Sequence, residues 1–174
     1  MKKSVLFVST VLFVIVGMLA FPRTAYAAAA NDVKASGLIS VVDRYSNSQG
    51  VDVVKVGSLG TSLLKGAIRH SAKGDEEAKA LLKAVNGIKR IAILDFDGAD
   101  VQLKQKIQAD IDRLLAGSEV LMEVKGDGDT MYMYGVMDEK ASQIHDFVLY
   151  AKSDCALICL LGSISVDAIM KLAE

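Results

Sequence analysis

Asp95 and Asp97 are the residues best placed to do chemistry. They close the hydrophobic run Arg90-Ile-Ala-Ile-Leu-Asp95-Phe-Asp97-Gly98-Ala99. Two carboxylates at a strand end can divide a phosphoryl transfer: the first attacks phosphorus, the second is the general acid, and Mg²⁺ offsets the phosphate charge. A calcium loop, D-x-[DN]-x-[DN]-G, would need an oxygen ligand at Ala99, a glycine at Asp100 and a bidentate glutamate further on, and this chain has none of the three. Met122, Met131, Met133 and Met137 crowd one hairpin, and thioethers can hold Cu(I). No histidine accompanies them, and their spacing on the strand faces is that of a flexible side chain filling a core. Cys155 and Cys159 lie four apart in an apolar run, about 13 Å apart on one strand face at ~3.3 Å per residue. That is beyond disulfide reach, so two buried, inert thiols are expected. His70 and His145 have no second ligand at motif spacing. Gly57-Ser-Leu-Gly60-Thr-Ser lacks the lysine of a P-loop, and no G-x-S-x-G is present. No catalytic residue, metal ligand or cofactor is assigned.

The run ending in Asp95 and Asp97 resembles the first motif of haloacid-dehalogenase-like phosphatases, which makes such a metal-dependent enzyme the alternative reading. That family's Thr or Val after the glycine is Ala99 here. Its fold also alternates β and α units, so the elements around the aspartates decide the matter.

Those elements follow from hydrophobic period. Leu38, Val41, Val42 and Tyr45 predict a helix over Ser36–Asn47, and β-branched Val51–Val56 a strand. Ser58 caps a helix to about Ala72, with Leu59, Leu63 and Ile68 on its buried side. A second amphipathic helix spans Glu76–Val85, a strand Ile88–Leu94, and a helix Val101–Leu115, striped by Leu103, Ile107, Ile111, Leu114 and Leu115. After Gly117 the period becomes two. Strands are expected at Glu119–Lys125, Thr130–Val136, Ile144–Lys152 and Cys155–Ile164, the first two joined by the hairpin turn Gly126-Asp127-Gly128-Asp129, and a closing helix at Val166–Ala173. Four consecutive strands make an antiparallel meander. The expected fold is therefore a single α+β domain with helices packed mainly on one face, and it lacks the β/α alternation the phosphatase requires.

Such a sheet should turn a polar face to water. Tyr132, Tyr134 and Tyr150 instead alternate outward with Val136 and Val148, away from Met131, Met133, Phe147 and Leu149. This aromatic face is either an interaction surface, for a protein partner, a small ligand or a second copy, or it lies beneath the N-terminal helix.

Residues 1–27 read as a secretory signal peptide. Lys2 and Lys3 precede an uncharged, mostly apolar stretch from Ser4 to Phe21, Pro22 breaks it, and Ala25-Tyr26-Ala27 is a small-x-small cleavage site. The expected mature domain is 28–174, frayed over 28–34, periplasmic or secreted, and free of the membrane after cleavage. The chain has 20 basic and 21 acidic side chains; loss of Lys2, Lys3 and Arg23 leaves 17 against 21. Neither sign is blocked into a patch, which argues against nucleic acid and anionic membrane as partners.

Four motifs carry a family likeness: Tyr45-Ser-Asn-x-x-Gly50-Val51, Glu119-Val-Leu-Met-Glu-Val-Lys125, Ile144-x-Asp146-Phe-Val-Leu149 and Leu161-Gly-Ser-Ile-Ser-Val-Asp-Ala-Ile-Met-Lys-Leu172. In this order, over about Gly37 to Leu172, the chain resembles the exported bacterial family known as domain of unknown function 4252. The resemblance implies a small periplasmic or secreted α+β protein. It transfers no catalytic residue, and Asp95 and Asp97 are not part of its pattern.

Overall fold

The computed structural model describes residues 35–71, 76–126, 129–138 and 142–167. The expected signal peptide at 1–27, the stretch 28–34 and the part of the expected closing helix after Asp167 lie outside the described residues, as do the side chains of Ile68 and His70. In chain order the elements are α1 (Ala35–Tyr45), β1 (Asp52–Val56), α2 (Ser58–Ser71), α3 (Glu76–Val85), β2 (Gly87–Asp95), α4 (Val101–Leu115), β3 (Val120–Gly126), β4 (Asp129–Met137), β5 (Gln143–Ala151) and β6 (Ala156–Ser165). The strands form one antiparallel sheet in the order β1-β2-β6-β5-β4-β3. The meander from β3 to β6 is present, and its last strand pairs with β2, which joins the β1–β2 pair to it. The α+β expectation holds.

Alternation sends Ala92, Leu94, Val148, Tyr150, Leu157 and Cys159 to one face, where they meet the buried stripes of α1 and α4. Leu38, Val42, Ile107 and Ile111 are fully buried there, each worth about 1.5–3 kcal/mol of transfer free energy. The largest helical cover thus falls on one face, and it is the face that carries the tyrosines. The opposite face holds Met133, Phe147, Leu149 and Ile158 with Ala84 of α3.

One polar group locks the helical layer. Asp110, on the buried stripe of α4, accepts hydrogen bonds at Oδ2 from Tyr45 Oη and Arg44 Nη1, each at 2.8 Å. Its Oδ1 lies 3.1 Å from Arg113 Nη1. The Tyr45 hydroxyl first, and then the two guanidinium charges, hold this carboxyl below the usual carboxylate range despite its burial.

α2 departs from the sequence expectation. Leu59 and Leu63 are 83% and 76% exposed. The helix is rolled so that polar residues face β2: Thr61 Oγ1 donates to Ser58 O and Lys89 O, and Lys65 Nζ donates to Asn86 O and Ile88 O at 2.7 Å. These carbonyls at the irregular start of β2 need donors more than the sheet needs two further leucines.

That irregularity is part of a line crossing the sheet. β2 has an extra residue, Lys89, against β6; β6 has one against β5, at Leu161–Gly162; β5 has one against β4, at Asp146–Phe147; and β3 has one, Leu121, against β4. The offsets lie side by side, since a Cβ on Gly135 of β4 would come within 3.0 Å of Leu121 and 2.6 Å of Ile144. The result is a transverse crease. A bulge shifts strand parity by one, so Ile88 shares a face with Ile91 and Ile93, and Ile144 with Phe147 and Leu149, which strict alternation would not allow.

Candidate functional site

The aspartate loop is fully employed in structure. Asp95 Oδ1 accepts the Asp97 backbone N–H at 3.1 Å, Asp97 Oδ1 pairs with Lys104 Nζ at 3.0 Å, and Asp100 Oδ1 accepts the Leu103 N–H at 2.8 Å as the N-cap of α4. The loop glycine is explained by contact: Gly50, at φ +74°, runs against Gly98, and a Cβ on Gly50 would lie 2.1 Å from Gly98 O. Two backbones cross there at a distance only glycine permits. β2, which carries Asp95, is antiparallel to both neighbours, unlike the parallel β/α arrangement the phosphatase reading requires. No group of three or more His, Cys, Asp or Glu that could hold a metal occurs among the described residues.

Met133 is buried, and Met122 and Met131 pack half-buried beside it against Phe147 and Leu149. Cys155 and Cys159 are free and buried. Desolvation pushes the Cys159 thiol up to about 12 and raises that of Cys155 as well, which disfavours the reactive thiolate. His145 is exposed on β5.

The tyrosine face divides. Tyr150 is 2% exposed and belongs to the core beneath α1 and α4. Its register partner across the β4–β5 ladder, Tyr132, is half-buried, as is Tyr134. These two rings lie 6.3 Å apart, tilted by 36°, and partial burial raises the Tyr134 hydroxyl above its usual range. The helices pack mainly against β1, β2, β5 and β6, so the β3–β4 hairpin stands out as a wing. One of its sides carries Tyr132, Tyr134 and Val136, the other Met122, Val124 and Met131, and every one of these is half-buried. β3 is also one of the two edge strands of the sheet, β1 being the other. Sequence period marked both sides of the wing, but the limit of helical cover has no local signature.

Fold and site together define a small α+β domain with one creased antiparallel sheet, a two-helix roof and a partly uncovered aromatic wing. The chain belongs to the family described as domain of unknown function (DUF4252), whose model matches residues 45–172. No curated protein and no solved structure is significantly similar to it. The matched span opens at Tyr45, the residue that ties α1 to Asp110.

Proposed function

We propose that the protein is an exported, non-catalytic binding protein of the bacterial envelope that meets a protein partner through the β3–β4 wing. The observation that carries this reading is the pair Tyr132 and Tyr134, rings tilted against each other and half-buried where helical cover ends. Tyrosine, with an apolar body and a polar tip, suits a surface that is wet in one state and covered in another. A sheet face beside an edge strand fits a protein more readily than a small molecule. The signal-peptide pattern of residues 1–27 supports export. A phosphatase centred on Asp95 and Asp97 draws no support: Asp95 accepts the Asp97 backbone N–H, Asp97 pairs with Lys104 of α4, and β2 is antiparallel to both neighbours.

Two measurements test the reading. Intact mass of the protein recovered from an envelope fraction is expected to begin at Ala28 or within two residues of it; a species that retains Met1–Ala27 and pellets with membranes overturns export and release. Tyr132→Asp combined with Tyr134→Asp is expected to unfold cooperatively near the wild-type temperature and to lose its complex, followed by light scattering and recovery of the cross-linked partner. Unchanged assembly and recovery in a folded double variant removes the wing as an interface. A large fall in melting temperature assigns both rings to the core. A complex containing only this chain identifies the partner as a second copy.

A further inference from the structure

Where the crease crosses β2, β6 and β5 the sheet opens into a groove of about 390 Å³, lined by Ser58, Lys89, Arg90, Asp146, Leu161 and Gly162. Volumes of this order hold small molecules. Three irregularities make it. Lys89 is the bulged residue of β2. Asp146 takes φ +49°, in the left-handed region, and its Oδ1 accepts the Gly162 N–H at 3.1 Å. Gly162 itself sits at φ +116°, where a Cβ would lie 2.2 Å from Gly87 O and 3.0 Å from Lys89 N. Bulges re-aim side chains out of the strict alternation of a strand. Here they bring two adjacent cations, Lys89 and Arg90, to one groove.

The charges in the groove do not cancel. Lys89 and Arg90 are exposed, and neither forms an ion pair among the described residues. The one carboxylate of the lining, Asp146, is engaged by backbone rather than by either cation. Lys65, close by over the same strand, spends its ammonium on the carbonyls of Asn86 and Ile88 and adds a further positive charge. Arginine's planar fork suits carboxylate and phosphate oxygens, and a lysine beside it supplies a point charge to the same group.

We propose that this groove binds the oxyanion group, carboxylate or phosphate, of a small acidic molecule, with Arg90 and Lys89 as its holding residues. The site lies on different residues from the tyrosine wing, so either proposal can fail while the other stands. Purified protein is titrated separately with inorganic phosphate and with citrate at ionic strength held constant by sodium chloride. Backbone amide NMR signals and melting temperature are followed. The expected result is a saturable shift centred on Lys89, Asp146 and Gly162, with affinity weakened at least ~10-fold in Lys89→Gln with Arg90→Gln, the size of one lost charge-assisted bond. Response to phosphate alone assigns a phosphate ligand, and response to citrate alone a carboxylate ligand. Absence of saturation with both ions, or equal affinity in the double variant, overturns the proposal. Should the double variant lose its fold, Arg90→Gln alone supplies the comparison under the same criteria.

Discussion

Tyr150 and Tyr132 face each other across the β4–β5 ladder, yet the first is sealed and the second half open. The boundary of the core therefore runs between two adjacent strands. On the β5 side, α1 and α4 roof a fully dehydrated layer. On the β4 side a hairpin of similar apolar content extends past the roof and keeps both faces partly wet. Composition is alike in the two regions; cover is not. Stability should concentrate under the roof, leaving the wing free for a partner without cost to the fold.

The sharpest test of that division compares truncations. Ile107, on α4, is fully buried between helix and sheet, and Ile107→Ala is expected to cost about 2–5 kcal/mol in denaturant unfolding, as buried aliphatic truncations do. Met131→Ala, on the wing, should cost clearly less, because the half-exposed site gives up less transfer free energy and its cavity is open to water. Equal losses would mean that the wing is core, and the interface reading would fall with the distinction.

A smaller effect tests what holds the roof in place. Asp110→Asn removes the charge that Arg44 and Arg113 approach and weakens the acceptor of Tyr45, at an expected cost of about 1–3 kcal/mol near neutral pH. The sign of its pH dependence follows from the depressed folded-state ionisation of Asp110. The carboxylate contributes stability above the unfolded-state value of about 3.9, and that contribution is lost as pH falls through the lower folded value. Wild type and variant should therefore differ by a steady margin down to about pH 4 and converge below it. A margin independent of pH would show that the charge on Asp110 is not what ties α1 to α4.

The elements and the two-sided alternation were readable from period because each depends on neighbours within a few residues. The stripe of α4 and the hairpin at residues 126–129 are of this kind. What period does not encode is tertiary. Tyr45 and Asp110 are 65 residues apart, and nothing local marks a helix aspartate as the acceptor for a tyrosine on another helix. Leu59 and Leu63 have a regular buried-stripe spacing, yet they face outward because Thr61 and Lys65 answer the carbonyls of β2. The crease is also invisible to strict alternation, since Ile144 changes face only through the bulge at Asp146. As for the candidate site, the tyrosines were visible as a set, but their division into one sealed and two half-open rings depends on where α1 and α4 end. Lys89 and Arg90 read as ordinary solvated charges until the bulges place them at one groove.

The smallest expected effect, at Tyr150, is the most discriminating, because the same Tyr→Phe change should act with the opposite sign at Tyr45. Tyr45 donates to Asp110, so Tyr45→Phe removes a charge-assisted hydrogen bond and should destabilise by about 1.5–3 kcal/mol. The Tyr150 hydroxyl is buried and has no hydrogen-bond partner among the described residues, and burial drives its ionisation far above the usual tyrosine range. Tyr150→Phe discards an unsatisfied polar group while keeping the ring, so it should leave stability unchanged or raise it by about 1 kcal/mol. Alkaline unfolding adds an independent check. A folded-state value above the unfolded value of about 10 means that stability falls as pH rises past 10, because only the unfolded chain ionises readily there. Tyr150→Phe should flatten that fall, with the part due to the raised Tyr45 hydroxyl remaining. A loss of more than about 1 kcal/mol in Tyr150→Phe, with the alkaline slope intact, would mean that the hydroxyl is bonded after all, and the dry roof over β5 would have to be redrawn as a wet one.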